Sequence, residues 1–235
     1  MSSTRAFFDW LVVSVTGVTG GGKSELCTYL YKNLPKTTRL LRQDDYFFPE
    51  NSPKHIPCSD GMTHFNWDVV TALDMDKMYV DIEEIITSPP VLKEKENITY
   101  TNMTIKDQAC AATSASAALK TPQVEPNSHL ALRRPVLILD GFCILDDSRI
   151  RSLSEFAIFF ELSREECLRR RLLRTFDPPD VAGYFDVCVW PMYELYRSRC
   201  KRQYKNQVEI MFLAGESDMD KTHNSILNQI IRAAS

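Results

Sequence analysis

The chain has no C-x-x-C pair among its 7 cysteines, no cluster among its 4 histidines, and no apolar run long enough to span a bilayer. The first two absences argue against a zinc site, which draws its ligands from closely spaced Cys and His. The third argues against a transmembrane helix, which needs about 20 consecutive apolar residues. A basic excess is missing as well: 28 Lys and Arg stand against 31 Asp and Glu, a formal net charge of -3. Domains that bind nucleic acid in bulk carry a positive balance, so neither nucleic acid nor membrane is an expected partner. The first residues, MSSTRAFFDW, lack the apolar segment and cleavage site of a secretory leader. The cysteines are scattered, and several fall inside apolar or helical patterns. Such thiols behave as small buried hydrophobes in a reducing compartment. The expected location is the cytoplasm, with the nucleus as the alternative.

Glycine is scarce, 8 residues in all, and half of them stand in one segment, GVTGGGKS at 17–24. It follows directly on the apolar run Leu11-Val12-Val13-Ser14-Val15. Strand, glycine loop and helix in that order make a phosphate-binding loop. Gly17 and Gly22 permit backbone angles that turn successive N–H groups of Val18, Thr19, Gly20 and Gly21 toward an anion. Lys23 is placed to reach the β- and γ-phosphates, and Ser24 to offer its hydroxyl to Mg²⁺. The helix beginning there adds its positive end.

At 235 residues the chain reads as a single domain. Strands are expected at 10–16, 38–43, 135–141, 156–162 and 207–213, with helices between them. One helix is expected to start near Asp68, which caps it, with Val69, Val70 and Leu73 on one face; another covers 74–87. Ser163 and Glu166 have the spacing of a capping box before a helix running to about 175. Pro191 is expected to open a further helix, and Ile226, Leu227, Ile230 and Ile231 mark the apolar face of the last. Residues 94–134, with ATSASAAL and KTPQVEPNSH, read as a flexible surface insertion. The alternation of β and α elements predicts an α/β fold: a parallel sheet with helices on both faces.

Ligands of such sheets gather at the carboxyl ends of the strands. The glycine loop, the Asp44-Asp45 pair and Asp140 all fall there. Neighbouring strand residues point to opposite faces, so one of Asp44 and Asp45 faces the phosphates, either to accept a proton or to help hold Mg²⁺. Asp140 suits a carboxylate that orients the metal through water. Arg169, Arg170, Arg171 and Arg174 crowd one helix. Arginines closing over a transferring phosphoryl group stabilise its charge, so this helix reads as a lid.

Beyond the loop, five strings stand in order: QDDYF at 43–47, NWD at 66–68, LDGF at 139–142, EECLRRRLLRTFDPPDVAGYFD at 165–186 and VWPMYELYR at 189–197. In them the chain resembles the nicotinamide riboside kinases, members of the uridine kinase and phosphoribulokinase-like group of P-loop kinases. The last two strings are the most specific, since no generic nucleotide site requires them. The resemblance implies one P-loop kinase domain over 1–235 with an Arg-bearing lid. It would use ATP and Mg²⁺ to phosphorylate the ribose 5′-hydroxyl of nicotinamide riboside, and the nicotinic acid riboside is a second acceptor. Asp44 would be the base and a Mg²⁺ neighbour, with Ser24 the direct ligand and Asp140 acting through water. Lys23, Arg170 and Arg174 would act on ATP. Asp68 and Arg171 would hold the sugar hydroxyls, Trp67 and Phe176 the two faces of the pyridine ring. Asp45, Tyr46, Phe47 and Asp177 would complete the acceptor end. A cationic ring favours aromatic faces, Trp most of all.

The chain departs from its relatives in four places. Gly20 and Gly21 replace polar loop residues, Phe176 stands where tyrosine is common, Gly215-Glu216-Ser217-Asp218 is unusually acidic, and the 94–134 insertion is long. The alternatives are a uridine/cytidine-type nucleoside kinase and a P-loop protein that binds nucleotide without phosphorylating an acceptor. Whether the chain is a monomer or a homodimer stays open.

Overall fold

The computed structural model describes residues 8–59, 61–95, 132–216 and 218–235. Five strands, β1 (Leu11–Gly17), β2 (Arg39–Arg42), β3 (Val136–Asp140), β4 (Phe156–Glu161) and β5 (Glu209–Ala214), form one sheet in the order β2-β3-β1-β4-β5. Every pairing is parallel. β1 and β3 are buried along their whole length. Their continuous apolar runs suit a sheet covered on both faces.

The two faces are filled by alternate residues. Leu11, Val13 and Val15 pack with Leu26 and Leu30 of α1 (Lys23–Asn33) and with Ile226 and Ile230 of the C-terminal helix (Met219–Ala234). Val12, Leu137 and Leu139 pack with Met78 and Ile82 of α2 (Met75–Thr87). Further along that face, Ala157 and Phe159 meet Phe185 and Tyr193. Among the described residues the remaining helices are α3 (Ser148–Leu153), α4 (Arg164–Arg171) and α5 (Trp190–Arg199), so the C-terminal helix is numbered α6. β1 lies between β3 and β4, and the chain fills one side of it before the other. That reversal opens a crevice at the strands' carboxyl ends.

Several local expectations are corrected. No helix starts at Asp68; the segment makes a single tight turn, Val70–Ala72, and Leu73 is extended. Asp68 gives its carboxylate to a distant tyrosine, and a bridge from Leu73 to Phe47 holds the chain out. Asp74 caps α2 instead, accepting from the Lys77 N–H. Only half of the capping box forms: Ser163 Oγ accepts from Glu166 N, while the Glu166 carboxylate turns to Arg169 and Arg170. α4 ends at Arg171, short of 175. Pro191 stands in the first turn of α5, as expected; a wide turn, Phe185–Val189, precedes that helix, and another, Cys200–Tyr204, follows it. The insertion expected at 94–134 lies, for residues 96–131, outside the described residues. At its described flanks Lys95 bonds the carbonyls of Tyr31, Lys32 and Leu34 at the end of α1, and Arg134 pairs with Glu155 and Asp9.

Candidate active site

The glycine loop leaves β1 under tight constraint. Gly17 has φ +114, and a Cβ there would lie 2.3 Å from the Phe160 carbonyl oxygen. The next N–H, of Val18, donates to that same oxygen at 3.0 Å. Gly22, at φ +101, begins α1 without a side-chain cap, which leaves the helix's first N–H groups for a ligand. Lys23 Nζ donates to the Val18 carbonyl at 2.7 Å. Burial pushes its pKa down, with Asp140 opposing that, Arg174 adding to it and Asp44 opposing.

Two carboxylates converge on this ammonium. Asp140 ends β3, level with Val15 on one side and Arg42 on the other, and is 4% exposed. Burial pushes its pKa up to about 6 against the pull of Lys23; Asp44 adds to the rise, and the Ser24 hydroxyl bond opposes it. Asp44 sits in the turn Gln43–Tyr46 after β2. Gln43 fixes that turn, its buried Oε1 accepting from Phe142 N at 3.0 Å and Cys143 N at 3.1 Å. Asp44 is open to the cleft but walled by protein, and lost hydration raises its pKa although Lys23 and Arg174 pull it down. Asp45 pairs with Arg42 at 3.2 Å. Asp44 is thus the aspartate of the pair that feels the lysine and the lid.

Ser24, Asp140 and Asp44 also suit Mg²⁺. Among the described residues no group of three or more His, Cys, Asp and Glu forms a protein-only metal cage. Mg²⁺ ordinarily takes one or two carboxylates and completes its shell with phosphate oxygens and water. The Asp44 charge raises the pKa of Asp140 beside it, and a dication there would supply compensating positive charge.

The arginines of α4 lean over the loop. Arg170 donates to the carbonyls of Gly20 at 2.9 Å and Gly215 at 3.1 Å, and Glu166 braces it at 2.6 Å. Arg174 reaches Thr19 Oγ1 at 3.2 Å. Arg171 turns the other way. It is 7% exposed and grips Asp180 through Nε at 2.6 Å and NH2 at 2.9 Å, with Asp68 Oδ2 at 3.8 Å. Its guanidinium carbon lies 4.2 Å from the centre of Phe176, and that of Arg174 lies 5.4 Å from it. Phe176 therefore shares its faces with the lid's own cations. Trp67 packs on His55 at 4.2 Å and meets Phe47 edge-on at 5.8 Å.

One cleft of about 970 Å³ is lined by the loop 17–24, Asp44, Asp45, Phe47, Trp67, Asp68, Asp140, Arg170, Arg171, Arg174, Phe176 and Asp177. Tyr46 is the site candidate that stays outside. Its ring is in the core against α2, and its hydroxyl donates to Asp81 at 2.9 Å. Arg42, Asp180 and Tyr184 line the cleft without having been singled out. The latter two stood inside the most specific string, so their place was legible there but their partners were not.

No family model matches the chain. It is 31% identical over 186 residues to nicotinamide riboside kinase 1 of Mus musculus, covering 79% of this chain and 77% of the mouse protein. Nicotinamide riboside kinase 1 of Homo sapiens is 30% identical over 186 residues, covering 79% and 76%. The chain belongs to the nicotinamide riboside kinase family. Its relatives extend to a uridine kinase of Lactiplantibacillus plantarum, 28% identical over 199 residues, covering 82% and 83%. Both sets of relatives are kinases of ribonucleosides, and this member of the nicotinamide riboside kinase family is a ribonucleoside kinase. Its parallel sheet and glycine loop are those of a P-loop kinase. Among the described residues no helix is long and apolar enough to cross a membrane.

Proposed function

We propose that the chain transfers the γ-phosphoryl group of ATP to the ribose 5′-hydroxyl of nicotinamide riboside, giving the mononucleotide and serving NAD biosynthesis. The observation that carries this reading is one cleft lined by Lys23, Asp44, Asp140 and Arg174 together with Trp67, Asp68, Arg171 and Phe176. The glycine loop and Lys23 hold the β- and γ-phosphates. Asp44, in its ionised form, takes the proton of the 5′-hydroxyl as that oxygen attacks the γ-phosphorus in line and ADP leaves. Arg170 and Arg174 offset the charge spread over the phosphoryl oxygens. Asp68 and Arg171 orient the ribose, and Trp67 offers an aromatic face to the cationic ring. Ser24 and Asp44, with Asp140 acting through water, would hold Mg²⁺, which would neutralise phosphate charge.

The test is purified protein with ATP, Mg²⁺ and a panel of ribosides, following ADP release and product. Nicotinamide riboside is expected to give the highest kcat/KM, with nicotinic acid riboside second. Uridine kinases among the relatives favour one other reading, and turnover of uridine without nicotinamide riboside would establish it. ATP binding with no riboside-dependent ADP release would leave a non-catalytic nucleotide binder.

A further inference from the structure

Tyr184 belongs neither to the phosphate loop, nor to the lid arginines, nor to the residues that the acceptor end was expected to use. Yet it is 1% exposed and touches three of them. Its hydroxyl donates to Asp68 Oδ2 at 2.9 Å and accepts the backbone N–H of Trp67 at 2.9 Å. Its ring centre lies 5.7 Å from the guanidinium carbon of Arg171, and His64 meets the ring edge-on at 5.0 Å. Burial and the Asp68 carboxylate push the phenol far above its ordinary pKa, so it remains a donor at every working pH. Tyr184 follows Gly183, at φ +82, directly after the segment that carries Phe176 and Asp180. From the next helix Tyr196 donates to the Asp68 backbone carbonyl at 3.1 Å.

We propose that Tyr184 is a positioning residue for the acceptor: it sets the Asp68 carboxylate and the Trp67 backbone in the orientation that receives the ribonucleoside, and couples that orientation to the lid. With Oδ2 engaged by Tyr184 and approached by Arg171, Oδ1 is the oxygen a ribose hydroxyl uses. The ordinary role of a buried tyrosine is packing, but packing requires no bond to each of two adjacent acceptor-end residues. The inference rests on the chain being a ribonucleoside kinase, and on no choice of base.

Tyr184→Phe keeps the ring and removes both bonds. The full-length variant is measured by steady-state kinetics with whichever ribonucleoside the wild type phosphorylates best, alongside ATP titrations and thermal unfolding. Tyr204→Phe is the control; that hydroxyl is also buried and bonded, to Asp146 at 3.1 Å, at a residue outside the cleft. The expected result for Tyr184→Phe is a rise in acceptor KM of about 10-fold or more, the scale of losing a bond to a charged partner together with a neutral one. KM for ATP stays within about twofold and kcat falls less than the acceptor KM rises. In a double-mutant cycle with Asp68→Asn the two effects on acceptor KM are strongly non-additive. An unchanged acceptor KM overturns the proposal. So does an equal rise in both KM values, or loss of the folded state, since either assigns Tyr184 to packing. The wild-type choice of riboside decides the substrate proposal separately.

Discussion

The protein around Asp44 lifts its carboxyl above the ordinary aspartate range, although the charges of Lys23 and Arg174 pull it down. A base held above the ordinary aspartate range accepts a proton more readily. Asp44→Asn is expected to lower kcat by about 10²–10⁴ while ATP affinity changes little, measured by turnover and by nucleotide titration. The same shift fixes the acid limb of the pH profile. Activity needs the ionised carboxylate, so kcat/KM should fall as pH drops through a value above the ordinary aspartate pKa. Asp140 carries the opposite cost. Its folded pKa is raised to about 6, so between the ordinary value and that one the folded chain binds more protons than the unfolded. The stability associated with this proton is present at acid pH and lost as pH rises to about 6. Asp140→Asn is therefore expected to raise the unfolding free energy of the ligand-free protein at neutral pH, on the order of 1–3 kcal/mol. Thermal or urea unfolding at acid and neutral pH checks it, and the gain should vanish at the acid end.

Among the elements, the loop between β1 and α1 is the most constrained. Its first glycine combines φ +114 with a backbone carbonyl 2.3 Å from where a methyl group would sit, so neither strain nor space can be relieved locally. Gly17→Ala is expected to cost on the order of 3 kcal/mol or more and to abolish nucleotide binding, as read by unfolding and by ATP titration. α4 is shaped by its own charges. Glu166 takes both Arg169 and Arg170 at 2.7 Å and 2.6 Å, so its carboxylate is unavailable to complete the capping box. The same pairs pull its pKa down to about 2. The spacing of Ser163 and Glu166 was readable in the sequence. Which partner Glu166 would choose was not, because it turns on arginines one helical turn away, of which Arg170 is itself held by the loop carbonyl of Gly20. Asp68 misled for a related reason: an aspartate before an apolar run signals a helix start, but a tertiary bond to Tyr184 outweighed the local preference.

At the scale of the whole molecule, the crevice beside β1 gathers the loop, the β2 turn, the end of β3, the lid and the segment at 67–68. A ligand that spans them stabilises the entire fold by mass action. Mg²⁺ and ADP at about 100 times their Kd should add about 2.7 kcal/mol, a rise in Tm of roughly 5–10 °C. Differential scanning fluorimetry checks it, and no shift would mean that the cleft does not hold nucleotide. The strands, the glycine loop with Lys23 and Ser24, and the strand-end place of Asp140 were legible in the residues, because each depends on neighbours in the chain: an apolar run, a turn, a strand end. The pairings at the acceptor end were not. Tyr184 and Asp68 stand 116 residues apart, and nothing local to either names the other. Arg171 was foreseen on the sugar, but its grip on Asp180 depends on the path of the chain around Phe176. Local backbone chemistry thus dictated the loop that we propose as the phosphate site. The shape of the acceptor end awaited the packing of distant side chains, since a buried hydroxyl or carboxylate takes its partner from whatever the fold places within about 3 Å.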